Sequence, residues 1–278
     1  MNMATTGSTF DIEPGIGHDF KARLARGELV VGCNIRHSRT AEIGAILRDC
    51  GYAWLMLDNE HSPMSPTLAY DMALGAIRAG VVPMARVRRN DPAEIASWLT
   101  NGALGVIVPH VNSAAEAQAA AHAAKYPPLG GLSVPGSIPQ FGYGIPLAQA
   151  AAAFNRDSLT VLMVESEQAI EDVESIAATP NVDVLFIGGS DLVFDMGLPG
   201  GYGHPKFTAA VERVVAAARR HGKFVGLGGV SDDAHWETCI GSGVQMILAE
   251  NDLTMLIKRA RERFGFFERL ALSRHRAS

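Results

Sequence analysis

Residues 82–111 read VPMARVRRNDPAEIASWLTNGALGVIVPHV, and the fold follows from how that stretch alternates. Residues 82–87 form an apolar run of strand length. Residues 91–101 place apolar side chains at helical spacing, and Gly102 closes the helix. Residues 105–111 then form a second apolar run. A strand, a helix and a strand within 30 residues make a parallel pair joined by a crossover.

The same unit repeats in both directions. Strand-like runs lie at 29–35, 54–58, 82–87, 105–111, 160–165, 182–187, 224–228 and 245–249, and helical patterns at 40–50, 66–79, 91–101, 114–125, 167–178, 205–221 and 232–242. Gly51, Gly80, Gly102, Gly222 and Gly243 punctuate them. About eight strand-then-helix units select an α/β fold, the closed (β/α)8 TIM barrel. An open nucleotide-binding sheet would want GxGxxG after its first strand, where this chain has Arg36-His37-Ser38.

The domain reading is a tail over 1–17, one barrel with an extended C-terminal helix over 18–272, and a second tail over 273–278. Two stretches depart from strict alternation. The segment 127–146, rich in Gly, Pro and Ser, is long enough to be expected as a lid or binding loop. The last helix carries Leu253, Leu256, Ile257, Phe264, Phe267 and Leu270, more apolar surface than one barrel helix needs, so subunit contacts are expected there.

Composition narrows the class. Hydrophobic residues make up 47% of the 278, with 29 Gly and 14 Pro, which suits a globular enzyme with many tight turns. A net charge of −5 without single-sign blocks gives no footprint for nucleic acid. Cys33, Cys50 and Cys239 lie far apart, against a disulfide framework or a thiolate metal site, and fit a reducing cytoplasm. No stretch has the length and apolarity of a membrane span.

In such a barrel, chemistry sits where strands end. The second strand ends in Asp58-Asn59-Glu60-His61-Ser62-Pro63, the third holds Arg86, the fifth ends in Glu165, and the sixth leads into Gly188-Gly189-Ser190-Asp191-Leu192. Glu165 shares the strand face of Val161 and Met163 at period two, while Leu162 and Val164 face the helices, so its carboxylate is expected to point inward at the mouth. Asp191, past the end of the next strand, is placed to converge with it on one cation. Two carboxylates without Cys or His suit a hard divalent ion that keeps open positions for water and a chelating 2-oxo acid.

Arg86, permanently charged, is expected to hold the developing oxyanion or the substrate carboxylate. The Ser190 and Asp191 backbone N–H groups offer an anion cradle. His61 is expected as the proton shuttle, with Asp58 as its orienting carboxylate and Glu60 as salt-bridge support. His110 is read as a buried, hydrogen-bonded histidine, and Arg88 and Arg89 as rim ion pairs. Each strand-end acid, taken alone, can equally be a solvated or loop-capping group. The run 226–231 before a helix leaves a phosphate-binding isomerase or synthase open, and a non-catalytic barrel is a third reading.

These stretches resemble the HpcH/HpaI aldolases, a family that also includes macrophomate synthase and relatives of the citrate lyase β subunit. The resemblance runs from about Lys21 to Leu256. Its carriers are Asp58 to Pro63, similar to D-x-E-H-x-P, then Ala85-Arg86-Val87 with Asn90-Asp91, Tyr126-Pro127-Pro128, Val164-Glu165, Phe186 to Leu192, and Gly203-His204-Pro205. It implies a class II aldolase acting on pyruvate, hydroxypyruvate or a similar 2-oxo acid with an aldehyde, with oxaloacetate decarboxylation as a related activity. It also implies a divalent metal (Mg2+, Mn2+ or Co2+) on Glu165 and Asp191, an enolate-stabilising Arg86, His61 with Asp58 as the acid–base pair, and a hexamer of dimers that exchange a C-terminal helix. Met163 stands where the family usually has Gln, Leu132 where many members have Arg, and Gly189 replaces a common Pro. A pocket more apolar than the family norm is therefore expected.

Overall fold

The computed structural model describes residues 13, 15–198 and 201–276, with side chains to 272. Most of the expected N-terminal tail, residues 1–12 and 14, and residues 277–278 of the C-terminal one lie outside the described residues. The strands are β1 Val30–Ile35, β2 Trp54–Asp58, β3 Val82–Arg86, β4 Gly105–Val108, β5 Leu159–Val164, β6 Val184–Gly188, β7 Phe224–Gly228 and β8 Met246–Asn251. The helices are α1 Ile16–Ala25, α2 Ile43–Asp49, α3 Pro66–Arg78, α4 Pro92–Thr100, α5 Ala114–Ala123, α6 Leu147–Asp157, α7 Glu167–Glu171, α8 Val173–Ala177, α9 Gly189–Asp195, α10 Pro205–Arg220, α11 Asp233–Ser242 and α12 Asp252–Arg276. The strands pair in sequence order, all parallel, and β8 closes on β1. The barrel is the expected (β/α)8 fold.

Period-two alternation builds two cores. Val30, Trp54, Met56, Val82, Met84, Ile107, Val161, Met163, Val184, Phe186 and Met246 fill the barrel interior. Cys33, Ile35, Leu55, Leu57, Ala85, Leu162, Val164, Leu185 and Ile187 face the helices. Trp54 packs edge-on to Phe186, ring centroids 6.3 Å apart. That pair needs glycine opposite it: a Cβ at Gly32 would enter the Trp54 indole, and one at Gly226 the Phe186 ring. Truncating so large a buried ring to alanine costs about 3–5 kcal/mol.

Helix α1 covers the floor at the strands' N-terminal end, burying Phe20 and Leu24 in the interior core. It starts at Ile16, earlier than the expected boundary at 18, and α12 runs on to Arg276, into the expected tail.

Segment 127–146 corrects the lid expectation. It follows a helix and leads by way of α6 into a strand, so it returns to the floor. Gln140 donates to the carbonyls of Leu99 (2.6 Å) and Ala103 (2.8 Å), and Asn181 donates to Leu129 O (3.2 Å), all positions at helix ends or strand starts. The long loop seals the end opposite the mouth.

Candidate active site

The register of β2 and β3 sets Asp58 directly beside Arg86, both on the inward face at the mouth. Arg86 Nε donates to Asp58 Oδ1 at 3.1 Å and a terminal nitrogen donates to Oδ2 at 2.7 Å. Asn34 Nδ2 and the backbone N–H groups of Glu60 and His61 donate to the same carboxylate at 3.2 Å each. Burial alone would raise the Asp58 pKa, but the Arg86 hydrogen bonds and charge, with the others, hold it below the usual carboxylate range.

This geometry corrects the expected role of Asp58. It meets His61 only through the backbone N–H. The His61 imidazole stands half exposed with Nε2 3.6 Å from Glu60 Oε2. Two hydrogen bonds from Arg86 fill the carboxylate face that an orienting role would need, so Asp58 is the anchor of Arg86 and of the 58–62 turn. The carboxylate beside His61 is Glu60, which also forms an ion pair with Arg86, Oε2 lying 3.0 Å from a terminal nitrogen.

His110 was expected to be buried, and its side chain is 62% exposed instead. β4 ends at Val108, three residues before the expected limit, and His110 turns out of the strand with φ +54°. Its backbone N–H donates to Glu165 Oε1 at 2.7 Å, and its Nδ1 lies 2.9 Å from the same oxygen. Its Nε2 lies 3.3 Å from Glu60 Oε1, so the imidazole bridges two acids of the mouth.

Glu165 follows directly on β5 and is 4% exposed, inward beside Met163. Burial pushes its pKa up; the His110 hydrogen bond and charge oppose this, and the nearby charges of Asp191 and Glu60 add to the rise. Gly188 makes the space, since a Cβ there would collide with Glu165 Oε2. Asp191 sits in the first turn of α9, where the first N–H groups have no intrahelical acceptor. The Ser190 hydroxyl lies 3.3 Å from the Gly229 carbonyl and 3.2 Å from the Tyr202 hydroxyl, tying the loops after β6 and β7 together.

A divalent cation fits this donor set. A dehydrated carboxylate near a second acid gains most from a hard cation, and carboxylate oxygens are its preferred ligands. Among the described residues no group of three or more His, Cys, Asp or Glu is gathered for a metal. A cavity of about 700 Å3 opens beside His61, lined by residues 59–65 and Arg88.

Residues 37–258 match the HpcH/HpaI aldolase/citrate lyase family. The chain belongs to that family. Membership gives the class of chemistry, a carbon–carbon lyase of the aldolase type. The chain is 33% identical over 257 residues to a 4-hydroxy-4-methyl-2-oxoglutarate aldolase of Hapsidospora irregularis, covering 91% of this chain and 95% of that one. It is 33% identical over 240 residues to a hydroxypyruvate/pyruvate aldolase of Sagittula stellata, covering 85% and 92%. The crystal structure of an HpcH/HpaI aldolase from Desulfitobacterium hafniense superposes with a TM-score of 0.83 at 29% identity, covering 89% and 96%.

Within this aldolase-family barrel two of the three departures, Met163 and Leu132, fall in different places. Met163 lines the interior just below Glu165, as its strand face requires. Leu132 lies in the 127–146 segment, buried in the core between strands and helices, and leaves this chain's own mouth unaltered. The expected apolar pocket is also offset by polar groups that sequence reasoning passed over. Asn34 was legible, because it shares the β1 face of Val30 at period two. Arg36 stands just past the end of β1, where rim residues belong, and its side chain reaches Asp58.

The phosphate cradle is already filled. Asp232 caps α11 and accepts from the N–H groups of Ala234 (2.9 Å) and His235 (3.4 Å), where an incoming phosphate would have to bind. Tyr202 donates to the Gly229 carbonyl at 2.7 Å, bracing the glycine run from the other side.

Proposed function

We propose that this chain is a class II, divalent-metal-dependent aldolase that makes or breaks the bond between C3 of a 2-oxo acid and an aldehyde carbon. The observation that carries the reading is the buried, inward Glu165, destabilised as an anion, with Asp191 near it and Arg86 at the same mouth. The named activities of the two aldolase relatives support pyruvate or hydroxypyruvate as the enolate-forming partner.

Glu165 and Asp191 are the residues that would hold Mg2+, Mn2+ or Co2+, and the bound ion supplies Lewis-acid polarisation of the 2-oxo group. Everything else is done by side chains. In cleavage, His61, directly or through one water, takes the proton from the C4 hydroxyl. The C3–C4 bond then breaks, the aldehyde leaves, and the bonding pair moves into the C2–C3 enolate. Arg86 has spent Nε and part of each terminal nitrogen on Asp58 and Glu60, and its remaining N–H groups face the developing oxyanion. Return of the proton to C3 completes the 2-oxo acid. Ser190 and Asp191 N–H groups assist in holding the substrate carboxylate. Oxaloacetate decarboxylation follows from the same enolate.

The long α12, with Leu256, Phe264 and Phe267 each more than half exposed, supports a homo-oligomer, read as a hexamer of helix-exchanging dimers. Among the described residues no helix is long and apolar enough to cross a membrane; a cytoplasmic setting rests on cysteine usage. The test is a metal-supplemented screen of pyruvate, hydroxypyruvate and oxaloacetate against a panel of aldehydes. Aldol formation that needs added metal is expected, and metal-independent turnover refutes the reading.

A further inference from the structure

The loop after β1 folds back onto the first residue of α12. Asp252 accepts from the backbone N–H groups of Arg36 at 3.0 Å, His37 at 3.1 Å and Ser38 at 2.6 Å, which lie 214 to 216 residues earlier in the chain. Three consecutive N–H groups converging on one carboxylate fix a stretch of backbone that belongs to no strand or helix. Asn251 takes the capping of α12, its Oδ1 accepting from the Thr254 N–H (2.9 Å) and hydroxyl (3.0 Å). That leaves the Asp252 carboxylate, apart from one bond from the Leu253 N–H, to the loop. Burial alone would raise the Asp252 pKa, but the bonds from Ser38 and Arg36, with the others, hold it below the usual carboxylate range.

The loop so held reaches the turn that carries His61. A terminal nitrogen of Arg36 donates to the His61 carbonyl at 3.1 Å, and Arg39 donates to the Arg36 carbonyl at 2.9 Å and to the Pro63 carbonyl at 3.3 Å. Asp58 takes the His61 N–H at 3.2 Å, so both backbone polar groups of His61 are fixed. The imidazole stands 3.6 Å from Glu60, beyond a hydrogen bond, and the backbone therefore decides where the ring points. Arg36 is no part of the Arg86 anchor. Its Nε lies 3.7 Å from Asp58 Oδ2, and that carboxylate already receives five N–H groups without it.

We propose that Asp252 is a positioning residue for the proton shuttle: by holding residues 36–38 it sets the Arg36 guanidinium against the His61 carbonyl, and so aims the imidazole at the substrate hydroxyl. The inference rests on the aldolase reading with His61 as its base. It joins the start of α12 to the loop that carries the chemistry. The consequence is selective. An aldol must lose the proton of its C4 hydroxyl as the C3–C4 bond breaks, whereas oxaloacetate has no such hydroxyl and releases carbon dioxide from its C4 carboxylate, the bonding pair passing into the same enolate. A misdirected ring slows the first reaction and spares the second.

The experiment measures both reactions with saturating Mg2+ and subtracts the rate with metal alone. Pyruvate release is followed from 4-hydroxy-2-oxoglutarate or 4-hydroxy-2-oxopentanoate, whichever the wild type cleaves faster, and decarboxylation from oxaloacetate. A displacement of the ring by about 1 Å predicts that Asp252→Ala lowers kcat for aldol cleavage by about 10- to 100-fold while decarboxylation is retained. Asp252→Asn, which keeps one acceptor oxygen, recovers part of the loss. Arg36→Met breaks the next link and gives the same split, and the double variant Asp252→Ala with Arg36→Met loses no more than the worse single one, as links in series require. If Asp252→Ala does not fold, Asp252→Asn and Arg36→Met carry the comparison. Equal losses in the two reactions would mean that Asp252 only supports the fold, and would overturn the proposal, as would unchanged cleavage or additive losses in the double variant. A wild type that decarboxylates but cleaves neither aldol removes the hydroxyl step and the proposal with it. Failure in both reactions would sink the aldolase reading itself, whereas a fully active wild type with equal losses in the variants sinks this inference alone.

Discussion

Arg86 and Asp58 face each other across neighbouring strands and are joined at two points, Nε to Oδ1 and a terminal nitrogen to Oδ2, with both side chains buried. The pair fixes the arginine's plane before substrate arrives, which is what an oxyanion-stabilising group requires. It also makes the position of Arg86 dependent on the Asp58 carboxylate.

Asp58→Asn should therefore damage stability as well as rate. Breaking a buried pair by neutralising one partner costs about 3–5 kcal/mol, read from urea denaturation. The pH dependence carries the sign. The folded pKa of Asp58 lies below its unfolded value, so its stabilisation is fully present above about pH 4 and is lost as pH falls through the lower folded value. The variant should lose less stability than the wild type on acidification below that point. Parallel acid limbs would show that Asp58 is not held as a salt-bridged anion.

His61 is half exposed and borders Glu60, with no hydrogen bond from its ring to Asp58. If it shuttles the proton, His61→Asn should flatten the acidic limb of the kcat/KM profile and lower the rate by about 10²–10⁴-fold. An unchanged limb assigns the shuttle elsewhere, with His110, whose Nε2 lies 3.3 Å from Glu60, the next imidazole to test.

The barrel was legible because alternation and helical spacing agree over its whole length, and β2 and β7 fall on their expected residues. Glu165's inward direction was legible for the same reason. Glu167–Glu171 and Val173–Ala177 were expected as one helix, which breaks at Asp172. Helices α1 and α6 gave weaker signals, since neither has a side-chain N-cap. The partners of Asp58 were not legible: spacing puts His61 three residues away, but strand register supplies Arg86 from 28 residues on. His110 was misjudged because two more apolar letters, Pro109 and Val111, lengthened the apparent strand.

Lys125 tests the floor. It is buried with its ammonium donating to Ser158 O (2.8 Å) and Ser158 Oγ (2.9 Å), and burial brings its pKa down to about 8, with Asp183 opposing. The folded chain therefore releases this proton before the unfolded chain does. Stability gains from this residue as pH rises between about 8 and 10.4, and the penalty is fully present below that window. Relative to wild type, Lys125→Met should remove up to about 3 kcal/mol of that rise. An identical slope in both proteins would show that the lysine keeps its ordinary proton affinity.

Helix α12 makes its own claim. Ending the chain after Arg259 removes Phe264 and Phe267, and the particle measured by light scattering should become smaller than the full-length one. A full-length protein that is already monomeric would contradict the proposed exchange of helices.

The central claim is that a cation held by Glu165 and Asp191 lets this barrel form an enolate from a 2-oxo acid. Its most direct test is proton NMR of the pyruvate methyl group in D2O, with no aldehyde present. The account predicts that wild-type protein with Mg2+ or Mn2+ exchanges those protons for deuterium, and that chelation, Glu165→Gln or Asp191→Asn each stop it. Exchange that continues undiminished after the metal is stripped, or in either variant, would contradict the account.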